Sequence, residues 1–180
     1  IMSFKATYLG SNGWIIEFLS NKIIIDPWLQ GELVFPPGEW FFKGTLKDEI
    51  PTPKNINLIL LTQGLPDHCH VPSLSRFDKE IDIICPKSAI KILKDLDFKS
   101  IQVLEPSEKL VINDLNIEAT SGAPVPNIEN GYIVESKEGG FYIEPHGYFD
   151  NKIKPRKLDA VITPTKNLLL PMVGCLFFCL

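Results

Sequence analysis

Alternating polar and apolar residues dominate the first part of the chain. Phe4–Gly10, Trp14–Leu19 and Lys22–Asp26 are rich in Ile, Phe, Tyr and Trp and are predicted as three strands. Ser11-Asn12-Gly13 and Ser20-Asn21 separate them. Both are turn formers, so antiparallel hairpins are expected. Ile56–Thr62 (INLILLT) and Ile81–Cys85 are nearly continuous apolar runs, the pattern of strands buried on both faces. Between them, Pro72–Phe77 opens on a proline and reads as a short helix. Ala89, Ile90, Leu93 and Leu96 fall at helical spacing within Lys87–Leu96. Strand patterns return at Ile101–Leu104, Lys109–Ile112, Leu115–Thr120, Gly131–Glu135 and Gly140–Glu144, and Leu158–Thr163 reads as a last buried strand. Strands first, then strands alternating with helices, then strands again predict sheets covered by helices, a layered α/β fold.

Two segments break the pattern. Leu29–Asn55 is a long proline-containing loop carrying Trp40-Phe41-Phe42. Loops of that length are usually functional or disordered, and the aromatics argue against disorder. They read either as the wall or lid of a pocket or as a plug in the core. Leu168–Leu180 (LLLPMVGCLFFCL) is too short to span a bilayer and is interrupted by Pro171 and Gly174. It predicts a single domain over residues 1–180 whose C-terminal part is incomplete. Such a tail leaves apolar surface in need of a cover, and a second copy of the chain is one candidate.

Composition narrows the classes. The chain has 180 residues, is 44% hydrophobic and 22% charged, and has a net charge of -4. That balance argues for a globular protein and against broad electrostatic binding to nucleic acid or anionic membranes. Lys152, Lys154, Arg156 and Lys157 form a local basic cluster, expected to be a solvated loop. Cys69, Cys85, Cys175 and Cys179 match no zinc-ribbon or disulfide spacing. Free thiols and the lack of a leader pattern near the N-terminus give a cytoplasmic expectation.

Chemistry concentrates in three strand-end loops. Asp67, His68 and His70 follow the INLILLT run, with Cys69 between the two histidines. Glu144 and His146 follow the Gly140–Glu144 strand, and Asp26 ends the third strand. Each has a plain structural alternative: Asp67 as a loop cap beside solvated histidines, Asp26 as an Asx turn before Pro27. If the loops converge, they form an acidic pocket with imidazoles, able to hold a divalent metal or carboxylates with raised pKa values. No nucleophile elbow, phosphate loop or dinucleotide fingerprint is present.

Tyr8-Leu9-Gly10-Ser11-Asn12-Gly13-Trp14, Ile23-Ile24-Ile25-Asp26-Pro27-Trp28-Leu29, Leu60-Leu61-Thr62 followed by Asp67-His68, Asn130-Gly131-Tyr132 and the Tyr142–His146 strand end occur in an order that resembles the metallo-β-lactamase superfamily of metal-dependent hydrolases. The nearest branch holds ascorbate-lactone-hydrolase-like proteins and their cyanobacterial and plastid relatives. The resemblance implies an αββα sandwich. It also implies a metal motif, His-x-His-x-Asp-His, at Gln63, Leu65, Asp67 and His68, where only the second half matches. The family's next histidine would fall near Thr120–Pro124, which contains none, and its bridging aspartate near Glu144 and His146.

At most one ion, zinc or another divalent metal, is therefore expected. Asp67, His68 and His146 are the expected ligands, with Asp67 and His68 carrying catalysis. Asp26 and Glu144 are alternate ligands or orient the histidines, and His70 is held in reserve. The expected activity is metal-dependent hydrolysis of a small ester, lactone, amide or phosphate. The alternative is a catalytically inactive member of the fold that serves as a binding or interaction module.

Overall fold

Alternation along the strands divides the core in two. Ile16, Phe18, Ile23, Ile25, Leu58, Leu60 and Ile84 face one way and pack with Ile117, Tyr132, Val134, Phe141 and Ile143. Their neighbours Ile15, Ile24, Ile59, Ile83 and Cys85 face the other way and pack with Leu74, Ala89 and Leu93. The first cluster lies between two sheets, and the second between a sheet and its helices. The computed structural model describes residues 4–18, 20–124, 129–137 and 139–164, and the backbone of 168–170 and 174–176.

The strands β1 (Lys5–Gly10), β2 (Gly13–Phe18) and β3 (Asn21–Ile25) form an antiparallel meander. A separate hairpin follows, β4 (Glu32–Val34) with β5 (Lys43–Thr45). β6 (Leu58–Leu60), β7 (Asp82–Cys85) and β8 (Ile101–Val103) extend the meander in parallel, giving the order β1-β2-β3-β6-β7-β8. The connections carry α1 (Val71–Leu74) and α2 (Lys87–Leu93), the latter continuing as a 3-10 turn over Lys94–Leu96. The second sheet contains β9 (Lys109–Ile112), β10 (Leu115–Ser121), β11 (Asn130–Ser136), β12 (Gly139–Ile143) and β13 (Ala160–Ile162), in the order β13-β12-β11-β10-β9. Only β13 runs parallel to its neighbour. β14 (Leu168–Leu170) and β15 (Gly174–Leu176) pair with each other as a small antiparallel hairpin. The expectation of an uncovered apolar tail otherwise falls outside the described residues.

The layered sandwich expected from the sequence is present, with three local differences. The long loop contains the β4–β5 hairpin, and Trp40 (81% exposed), Phe41 and Phe42 lie on the surface, so the core-plug reading is wrong. β13 is an edge strand with Val161 half exposed, not a buried one. Among the described residues, the outer face of the second sheet is covered by a 3-10 turn, Asn151–Ile153, and its flanks. Tyr142 points to that face and meets the Phe149 ring at 6.4 Å.

The basic cluster is part of this cover and not merely a solvated loop. Arg156 pairs with both Glu118 and Glu135. Lys152 and Lys109 each reach Glu118 at 3.4 Å. Burial alone would push the Glu118 carboxyl up, but these cations hold it below the usual glutamate value. Charge-assisted bonds of this kind contribute roughly 1–3 kcal/mol. Glu118→Gln should therefore lose roughly that much stability near pH 7. Because the folded pKa is lowered, the contribution is present above the unfolded value of 4.5 and disappears as pH falls below it. Denaturant unfolding of both proteins should show the gap closing at acid pH. No helix among the described residues is long and apolar enough to cross a membrane.

Candidate metal centre

Strand direction decides which chain ends share a rim. β3 and β6 are parallel, so Asp26 and Thr62 emerge side by side from their C-terminal ends. β2 is antiparallel to β3, which brings the β1–β2 turn and Asn12 to the same place. In the second sheet β12 delivers Glu144 and His146, and the antiparallel β11 delivers Glu129 at its start. The rim is stitched between sheets: Asn130 N donates to Thr62 O at 2.8 Å, and Tyr132 OH donates to Leu61 O at 2.8 Å.

His68 is fully buried and fixed on one side. Its Nδ1 lies 2.9 Å from Asp26 Oδ2, and the Thr62 hydroxyl donates to the same oxygen. Thr62 N donates to Asp26 Oδ1 at 2.8 Å, so both oxygens of Asp26 are engaged. Asp26 reaches this position with φ of 42°, a left-handed conformation tolerated by aspartate and followed directly by Pro27. With Nδ1 bound, His68 turns Nε2 toward Asp67 Oδ2, 3.4 Å away. Burial would push the His68 imidazole down, but Asp67, Asp26 and Glu129 outweigh it and push it up to about 10. Burial pushes the Asp26 carboxyl up.

His146 is held the same way from the opposite sheet. Its Nδ1 lies 2.6 Å from Glu129 Oε1, and its ring centroid is 5.1 Å from that of His68. Glu144 accepts His146 N at 3.1 Å and Tyr148 N at 2.7 Å, so it caps the turn that carries His146. Burial and the neighbouring Glu129 push the Glu144 carboxyl up to about 7. One donor atom from each of His68, Glu129 and His146 lies within 4.8 Å of the other two.

The structure thus places Asp26, Asp67, His68, Glu144 and His146 together, and adds Glu129, Thr62 and Asn12. The sequence signal for Glu129 was its position just before Asn130-Gly131-Tyr132 at a strand start. His70 belongs elsewhere: it caps α1 by accepting from Ser73 N, and its Nε2 lies 3.1 Å from Glu32 O. Cys69 is buried in the helix-side core, where burial pushes its thiol up, so it offers no thiolate to the cluster. Leu65 lines a cavity of about 400 Å³ on the far side of the loop, with Val34, Cys69, His70 and Ile92. None of the clustered acids or His68 or His146 borders that cavity, so it is not this site. Gly64 seats the loop there: its N donates to Ser88 Oγ at 3.1 Å, and a Cβ would collide with the Ser88 carbonyl.

The residues fit a cation. Asp26, Asp67, Glu129 and Glu144 are all buried, and among the described residues no lysine or arginine pairs with any of them. Beside the single raised imidazole of His68, four buried carboxylates leave negative charge that is costly to bury without a further cation. Asp67 Oδ1 is buried without a hydrogen-bond partner.

Comparisons with known proteins agree on the fold. A family model described as "Beta-lactamase superfamily domain" matches residues 5–173. No curated protein matches. An isothiocyanate hydrolase from Delia radicum gut bacteria superposes with a TM-score of 0.72 at 16% identity, covering 96% of this chain and 75% of that one. Igni18, a metallo hydrolase from the archaeon Ignicoccus hospitalis, gives 0.56 at 18% identity, covering 81% and 63%. CmlA, a diiron beta-hydroxylase from Streptomyces venezuelae, gives 0.58 at 17% identity; 78% of this chain matches only 29% of CmlA. Matched by the family model over most of its length, the chain belongs to the beta-lactamase superfamily.

Proposed function

We propose that this protein is a metal-dependent hydrolase acting on a small electrophilic substrate such as an ester, lactone, amide or phosphate. The observation that supports it is the convergence of two imidazoles with Glu129 beside three further buried carboxylates, none of the four paired with a lysine or arginine among the described residues. His68, His146 and Glu129, whose donor atoms lie within 4.8 Å of one another, would hold one divalent ion, with Asp67 beside them facing His68 Nε2 at 3.4 Å. A metal there would supply the chemistry of a water activated near neutral pH. Asp26 keeps the Nδ1 proton of His68 and leaves Nε2 as the donor, as outer carboxylates do for ligating histidines. Glu129 and Glu144 fix the His146 ring and its turn. Imidazole with carboxylate suits zinc, and two histidines with one carboxylate also suit iron(II).

Purification without chelator, elemental analysis and an ester, lactone and phosphodiester panel test this reading. The expected result is about one metal per chain and turnover that stops with chelator and returns with metal. Leu65, turned away where the family carries histidine, favours the second reading, a binding module without catalysis. Absence of both metal and turnover would establish that reading instead.

A further inference from the structure

The Asn12 amide touches the surviving half of the metal motif. It sits in the β1–β2 turn, where Gly10 adopts φ of 99° and Ser11 φ of 51°. Those left-handed residues fold the turn back over the rim. Asn12 is 3% exposed, and its Nδ2 lies 3.0 Å from Asp67 Oδ2 and 3.2 Å from His68 Nε2. The Asn12 NH2 group therefore lies against two atoms expected to hold the metal. Its own Oδ1 is buried with no hydrogen-bond partner, and Asp67 Oδ1 is in the same condition. Two adjacent side chains thus each carry one unsatisfied oxygen.

A carboxamide has two faces, a donor NH2 and an acceptor oxygen, exchanged by a half turn of its last torsion. With NH2 inward, Asn12 donates to Asp67 Oδ2 and lies beside His68 Nε2 in the metal-free site. With oxygen inward, it presents a neutral hard donor to a cation held by the same two residues, a ligand type suited to divalent metals that favour oxygen. A cation would satisfy both orphaned oxygens at once.

We propose that Asn12 is a ligand of this centre, its amide turning oxygen-inward when the metal binds and filling part of the donor set that Leu65 leaves empty. The proposal rests on the metal-dependent reading above. Cobalt(II) is the probe, because its absorption bands report the ligand set. Affinity is read by competition with a chromophoric chelator, beside melting curves with and without cobalt. Asn12→Ala should weaken cobalt binding about 10–100-fold and shift the bands. Asn12→Asp keeps an oxygen in place, so it should bind at least as tightly as wild type. It should also melt lower than wild type without metal, because it sets a second carboxylate against Asp67, and recover when cobalt is added. If Asn12→Ala fails to fold, Asn12→Asp decides: a tenfold or greater loss of affinity overturns the proposal. Wild-type affinity and an unchanged spectrum in Asn12→Ala overturn it while leaving the metal reading intact. A wild-type protein that binds no cobalt overturns both.

Discussion

His68→Ala should lose bound metal and hydrolysis together, while His70→Ala keeps both. The two histidines are two residues apart and both buried, so burial alone does not distinguish them. Their partners do. His68 is held by Asp26 on one nitrogen and faces Asp67 with the other. Both His70 nitrogens are committed to neighbouring chain atoms: Nδ1 to Ser73, and Nε2 to the Glu32 carbonyl 3.1 Å away. Burial pushes the His70 imidazole down, which matches a neutral ring that caps α1. A site holding zinc by four donors with roughly 12 kcal/mol in total loses about 3 kcal/mol per donor, or at least a hundredfold in affinity. His70→Ala removes a cap, worth about 1 kcal/mol, and should lower the melting temperature only. Metal content and melting curves of both variants check this. Metal-dependent turnover that survives His68→Ala would show that Glu129 and His146 hold the metal without His68.

The strands were legible because one face of each sheet is buried by the other sheet and the opposite face by helices or a cover. Ile15 and Ile16, or Ile83 and Ile84, each fill a different core, so apolar runs mark the central strands. The β4–β5 hairpin was not legible, since Glu32-Leu33-Val34 and Lys43-Gly44-Thr45 are short, half polar and set among prolines. β13 misled in the other direction: Ala160-Val161-Ile162 is apolar but pairs on one side only. Five of the eight residues of the candidate site were legible for a related reason. Acids and histidines stand where strands end, which finds Asp26, Asp67, His68, Glu144 and His146. Antiparallel neighbours bring their starting ends to that same rim. Glu129 precedes β11 and Asn12 precedes β2, so both escaped a reading that knew strand order in sequence but not strand direction in space.

Asp26→Ala should be among the most destabilising single changes in the chain, although Asp26 makes no contribution to the apolar core. Its two oxygens accept from Thr62 N, the Thr62 hydroxyl and His68 Nδ1, and all three donors are buried. Removing the carboxylate leaves Thr62 N and the Thr62 hydroxyl without this acceptor and leaves His68 Nδ1 only the Thr62 oxygen, 2.8 Å away. Deleting one member of a buried charged pair typically costs about 3–5 kcal/mol. Asp26→Asn separates this structural cost from the functional one. The amide oxygen still accepts from Thr62 N, so the fold should survive with a smaller loss. The negative charge that orients His68 is gone, and the amide presents either a neutral oxygen or a second donor to Nδ1. Loss of such an outer partner usually weakens a metal site 10–100-fold. Denaturant unfolding in the presence of chelator measures the first effect and metal competition the second. If Asp26→Asn bound metal as tightly as wild type, the His68–Asp26 contact would be only a structural bond. The direct contact of Asp26 Oδ2 with His68 Nδ1, 2.9 Å apart on the side of the ring away from Asp67, gives a reason to expect otherwise, because an outer carboxylate fixes the tautomer and aim of a ligating imidazole.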